Sequence, residues 1–144
     1  MNVERTTDIA APAERVYDLV MDPHRLEDWV TIHDHLEDAP DGSLRKGSEL
    51  TQCLRLAGRR FKVRWTVVEN EPCRRVVWEG RGPVRSRARV VYEFEEGDDG
   101  TRFSYSNEYH LPGGPLANLA EPVVRRVTGK ELDHTLERLK QLVE

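Results

Sequence analysis

At the centre of the stretch TIHDHLED, His33-Asp34-His35 sets two imidazoles two residues apart with a carboxylate between them. On an extended strand such residues project to one side with Cα atoms roughly 7 Å apart, so His33 and His35 could chelate a divalent ion once a third ligand approached. The neighbouring apolar residues argue otherwise. Val30, Ile32 and Leu36 share even parity, which turns both imidazoles outward and leaves only Asp34 pointing inward, unless a bulge shifts the register. No Cys, His or carboxylate is placed by sequence to complete an outward site, so no metal is expected. An inward carboxylate needs a partner or a polar cavity mouth, which makes Asp34 a candidate ligand contact.

The remaining chemistry is aromatic. Tyr105, Tyr109 or His110 could polarise a carbonyl or move a proton in a dry pocket. The chain has no Gly-rich phosphate loop, no nucleophile elbow and no supported Ser/His/Asp order, so nothing points to a cofactor or a triad, and no catalytic residue is assigned. His110 has the opposite parity from Tyr109 and reads as a surface residue. His134 and His24 lie off the apolar stripes and need no function. Glu95, Glu96, Asp98 and Asp99 belong to a turn. Cys53 and Cys73 lack zinc-site spacing and read as reduced structural thiols.

Three kinds of element must position these residues. A first strand, VERTTDI, precedes a short amphipathic helix in which Pro12 suits the first turn and Val16, Leu19 and Val20 recur at helical spacing. A second short helix is expected from Pro23 to Asp28. The period then becomes two. Leu50, Gln52, Leu54 and Leu56 share one face, and Phe61, Val63, Trp65 and Val67 oppose Arg60, Lys62 and Arg64. The same split recurs at Val76 and Trp78, at Ala88, Val90, Tyr92 and Phe94, and at Phe103, Tyr105, Asn107 and Tyr109. Turns at Asp41-Gly42, Ala57-Gly58, Glu71-Pro72, Gly82-Pro83 and Gly97 to Gly100 separate these runs into an antiparallel meander of six strands. After LPGGP, an apolar stripe through Leu116, Leu119, Ala120, Val123, Val124 and Val127, then Leu132, Leu136, Leu139, Leu142 and Val143, marks a terminal helix. Pro122 and Gly129 are expected to bend or interrupt it.

This order describes an α+β helix-grip fold: a curved antiparallel sheet of about seven strands around a long C-terminal helix, with two short helices after the first strand. It also resembles the START/Bet v 1-like (SRPBCC) superfamily, and within it the bacterial polyketide cyclase/dehydrase and lipid-transport group. The resembling segments are IAAPAERVYDLVMDPHRLEDWV, VVENEPCRRVVWEG, FEEGDDGTRFSY, LPGGPLANLAEPVVRR and LERLKQLVE, spread in order over the whole chain. The resemblance implies a cavity between sheet and terminal helix that holds lipids, quinones or polyketides. If the apolar parity faces that helix, Trp65, Trp78, Tyr92, Phe94, Phe103, Tyr105 and Tyr109 converge there, with Gln52, Ser86 and Asn107 as polar exceptions. The candidate ligand contacts are Trp65, Trp78, Tyr92, Phe103, Tyr105, Asn107, Tyr109 and Asp34.

Composition narrows the partners. At 144 residues, 38% of them hydrophobic and 33% charged, one domain over 1–144 has enough chain for a core. No apolar run approaches the roughly 18 residues of a membrane span and no signal peptide is evident, so a cytoplasmic protein is expected. A formal charge of −4 speaks against nucleic acid as the partner. Three functions fit: binding a small hydrophobic or aromatic molecule; cyclase/aromatase or dehydratase chemistry through tyrosine hydroxyls; and an interaction role in which an Arg-rich sheet face, including Arg85, Arg87 and Arg89, meets an acidic protein. A homodimer is compatible with each.

Overall fold

The structure, a computed structural model, describes residues 2–56, 58–110 and 115–144, with side chains from residue 122 onward in the last segment. Strand β1 (Asn2–Ile9) leads into α1 (Ala13–Val20), a 3-10 turn over Pro23–Arg25, and α2 (Leu26–Trp29). Six strands follow: β2 (His33–Asp38), β3 (Glu49–Leu56), β4 (Arg59–Glu71), β5 (Arg75–Arg81), β6 (Arg87–Gly97) and β7 (Gly100–His110). Helix α3 (Pro115–Val143) comes last. The LPGGP turn through Gly114, Ala57, and the side chains of Leu116, Leu119 and Ala120 lie outside the described residues.

The strands form one antiparallel sheet in the order β1-β7-β6-β5-β4-β3-β2. The curved sheet and its helices match the expected helix-grip architecture. Helix α1 buries Ala13, Val16, Leu19 and Val20, the stripe read from its spacing. Its first turn is tied to the far hairpin, where Ala13 N–H donates to Glu96 Oε1 at 3.1 Å. The brief α2 buries Leu26 and Trp29 completely and carries the chain to the β2 edge.

Helix α3 runs unbroken through Pro122 and Gly129, contrary to the expected interruption. Proline forfeits one intrahelical donor, and the flanking bonds carry the helix across. Gly129 serves a close approach instead. A Cβ there would lie 2.6 Å from Arg5 Nη2, so its absence lets Arg5 cross the helix and pair with Asp133 at 3.0 Å. Leu132, Leu136, Leu139 and Val143 are buried as expected, whereas Val123 and Leu142 are 64% and 39% exposed. The inward stripe of α3 also includes Thr128 and Thr135, and Thr135 Oγ1 accepts from Thr31 N–H at 3.1 Å.

The largest departure is in β2. His33 pairs with Leu54, His35 with Cys53 and Leu36 with Gln52, so a bulge falls between His33 and His35. One extra residue reverses the side chains on either side of it. His33 therefore joins the inward face, while Asp34 and His35 stand together on the outer one. Asp34 Oδ2 lies 2.6 Å from His35 Nδ1, and its other oxygen lies 3.8 Å from the outward Arg60. The expected inward Asp34 and outward His33 are both corrected.

A candidate ligand cavity between sheet and helices

The inward parity of β3 to β7 builds the core and the cavity from the same residues. Trp29, Trp65, Trp78, Tyr92, Phe94, Phe103 and Tyr105 are all at most 6% exposed and meet mainly edge to face. Ring centroids are 4.9 Å apart for Tyr92 and Tyr105 and 5.5 Å for Trp78 and Tyr92, within the favoured range for aromatic pairs. Beside this cluster a cavity of about 360 Å³ opens between the sheet and the α2 and α3 side. That is the lower end of the size of a small-molecule site. Its walls include Leu26, Val30 and Ile32 around α2, Leu54, Phe61 and Val63 on β3 and β4, and Val124 on α3.

A glycine lets bulky residues pack beside this space. Gly80 lies in register between Trp65 of β4 and Ala88 of β6. A Cβ on Gly80 would come within 2.6 Å of both Trp65 Cε3 and Val63 Cγ1. Glycine at that inward position therefore lets the Trp65 indole lie close against the neighbouring strand.

The polar groups of the cavity are arranged in two sets. In the first, Trp65 Nε1–H donates to Gln52 Oε1 at 2.9 Å, and Gln52 Nε2 lies 2.8 Å from His33 Nδ1. An indole N–H can only donate, so the Gln52 oxygen must face it and the amide NH₂ must face His33. His33 Nδ1 is then an acceptor, and its ring is the neutral Nε2–H tautomer. Burial is the main influence lowering the His33 pKa, helped by His35 and opposed by Glu27 and Asp34. Outside the cavity, the hydrogen bond from His35 is the main reason that Asp34 ionises below the usual carboxylate range.

The second set is made of hydroxyls. Tyr92, Tyr105 and Tyr109 line the cavity together with Asn107, and burial raises the pKa of each tyrosine. Hydrogen bonds from Tyr92 and Asn107 partly oppose that rise at Tyr105. At neutral pH all three phenols are protonated and able to donate. Between the sets stands Trp78, whose buried indole N–H finds no hydrogen-bond partner among the described residues.

Six candidates from the sequence thus meet at one cavity: Trp65, Trp78, Tyr92, Tyr105, Asn107 and Tyr109. Gln52 and Ser86, expected as polar exceptions, line it too. Phe103 does not. It is wholly buried behind Tyr92 and Phe94, with centroids 5.7 and 5.1 Å away. Asp34 is on the opposite face of the sheet. Arg59, which shares the inward parity of its strand, lines the cavity without having been a candidate. His33 does not line it, and only the bulge lets it reach the lining residue Gln52.

Against this geometry, the family model described as polyketide cyclase / dehydrase and lipid transport matches residues 1–144. The chain belongs to that family. A member-like fold is shared with the crystal structure of TTHA0849 from Thermus thermophilus, at 21% identity and a TM-score of 0.80 over 99% of this chain and 97% of that one. A conserved protein from Geobacillus kaustophilus gives a TM-score of 0.79 at 15% identity, covering 99% and 95%. DynU16, from the dynemicin biosynthetic locus, aligns over 97% of this chain and 46% of its own, with a TM-score of 0.65 and 18% identity. Among curated proteins, Toxin Rv0910 of Mycobacterium tuberculosis is 22% identical over 122 residues, covering 82% of this chain and 83% of the toxin. This polyketide cyclase/dehydrase family is associated with small hydrophobic ligands. Among the described residues, no helix is long and apolar enough to cross a membrane.

The outer face of the same sheet carries a larger but more open depression of about 700 Å³. Arg64, Arg81, Arg87, Arg89 and His110 line it with Glu49, Glu79 and Glu108. Its mixed charges and shallow form suit solvent better than an apolar molecule.

Proposed function

We propose that the protein binds a small apolar or aromatic molecule bearing hydrogen-bond acceptors, such as a quinone- or polyketide-like carbonyl compound or a lipid, in the cavity beneath α3. The observation that carries this reading is the cavity itself, about 360 Å³ of mainly apolar space whose wall carries the neutral hydroxyls of Tyr92, Tyr105 and Tyr109 beside Asn107. Arg59, the inward-parity cation at the rim, and Arg87 are the charged residues of the lining, and no carboxylate joins them among the described residues. That balance favours acceptor-rich or anionic ligand ends there.

A second reading, cyclisation or dehydration of a polyketide-like substrate, is supported by the adjoining Tyr92 and Tyr105 hydroxyls. Their raised pKa values suit donation to a carbonyl oxygen as its charge develops, and oppose proton abstraction by a tyrosinate. The protein is taken to work as one cytoplasmic domain.

Native mass spectrometry of freshly purified protein tests the binding reading, followed by tryptophan-quenching titrations with fatty acids, quinones and aromatic ketones. A copurified small molecule or saturable quenching is expected. Folded Trp65→Ala and Tyr105→Ala variants should then lose uptake beyond their loss of stability. Absence of binding across all three classes, or unchanged uptake in both variants, rejects the cavity as the site.

A further inference from the structure

We propose that Asp34, His35 and Cys53 form a transition-metal site, suited to Zn²⁺, on the outer face of edge strand β2. It is independent of the ligand cavity. One donor atom from each of the three residues lies within 4.8 Å of the others. Imidazole, thiolate and carboxylate are the donors that Zn²⁺ takes in tetrahedral sites, commonly with water in the open position.

The bulge in β2 creates the cluster. Consecutive residues of a regular strand point to opposite faces, so Asp34 and His35 could not share a ligand. The register shift between His33 and His35 puts both on the outer face, and His35 then stands directly opposite Cys53 of β3. Cys53 is 5% exposed, while the side chains of Asp34 and His35 are 20% and 51% exposed. The donors thus define a closed floor and a wet side from which water can complete the coordination.

The surrounding charges fit an outer shell. His35 Nδ1 faces Asp34 Oδ2 at 2.6 Å, while its Nε2 faces Glu37 Oε1 at 3.6 Å. With the ion on Nδ1, the Nε2–H points at Glu37, the carboxylate partner that usually orients a metal-bound histidine. Glu37 is itself held by Lys62 Nζ at 3.0 Å, and Asp34 Oδ1 faces Arg60 at 3.8 Å. These two cations are therefore engaged by carboxylates. Binding replaces the short Asp34–His35 hydrogen bond, spreading the two donors to about 3.4 Å around the ion. As the metal–sulfur bond forms, the Cys53 thiol proton leaves to solvent, and thiolate plus carboxylate balance the dication.

Titration of the reduced full-length protein with Co²⁺, a spectroscopic stand-in for Zn²⁺, tests the site. The expected result is a near-ultraviolet thiolate-to-cobalt band with visible d–d bands, saturating at one equivalent and erased by Zn²⁺. Cys73→Ser should leave the spectrum unchanged, and Cys53→Ser should abolish the charge-transfer band. Glu37→Gln should weaken affinity about 10-fold, and His35→Ala at least that much. Should Cys53→Ser fail to fold, His35→Ala on the exposed edge decides. The proposal is overturned by absence of the charge-transfer band, by its survival in folded Cys53→Ser, or by unchanged affinity in folded His35→Ala.

Discussion

Along β4, Val63, Trp65 and Val67 are buried against the cavity side, with Phe61 half-buried, while Arg60, Lys62 and Arg64, one residue out of step, stand largely in water. The same backbone supports two regimes. Inside, Trp65, Gln52 and His33 are fixed by donor and acceptor geometry, and each partner is hard to replace because water cannot substitute. Outside, Arg64, Arg81 and Arg87 fall in one row across three strands, like charges directly opposite one another. Solvent screening makes that row tolerable. The cavity is therefore specified by geometry, and this outer arginine row by the absence of any need for it.

The contrast breaks most sharply at Trp29. Trp29→Ala should cost about 3–5 kcal/mol of stability, because its indole is fully buried against Tyr92 and Tyr105. Urea unfolding followed by far-ultraviolet circular dichroism measures it, and a loss below 1 kcal/mol would dissolve the distinction between the faces. Gln52→Leu should cost about 1–3 kcal/mol by stranding the Trp65 N–H and the His33 acceptor, with a shift in Trp65 fluorescence.

Alkaline pH probes the hydroxyl set. The folded-state pKa values of Tyr92, Tyr105 and Tyr109 lie above their unfolded value near 10, so the native state holds these protons longer. Their contribution is complete below about pH 10 and falls above it, by up to about 1.4 kcal/mol per pH unit for each group. Denaturant midpoints between pH 9 and 12, read beside tyrosinate absorbance, check this; early ionisation of all four tyrosines in the folded protein would contradict it. The smallest effect belongs outside. Arg81→Glu should change stability by a few tenths of a kcal/mol, in the stabilising direction, by placing a negative charge between Arg64 and Arg87. A loss above 1 kcal/mol would show that the outer row is structural.

Much of the inner face was legible because a period of two needs no knowledge of neighbours. It identified the inward sides of β3 to β7 and six of the cavity residues. Phe103 shared that parity but sits behind Tyr92, since parity gives a side and not a depth. Arg59 was within reach of the same rule. The apolar spacing along α3 extends to Val123 and Leu142, which are 64% and 39% exposed, since spacing does not show which residues of a stripe meet a neighbour.

The sequence by itself determined the order of elements, the alternation that separates a buried face from a wet one, and the family. Local chemistry suffices there, because each residue's preference is expressed within its own strand or helix. Only the tertiary structure decided what HDH means. Pairing with β3 inserts one extra residue into β2, and that step exchanges the faces of His33 and Asp34. It sends one imidazole to Gln52 and brings the other beside Cys53, 18 residues away in sequence. A register is a property of two strands, so no reading of one strand could have supplied it.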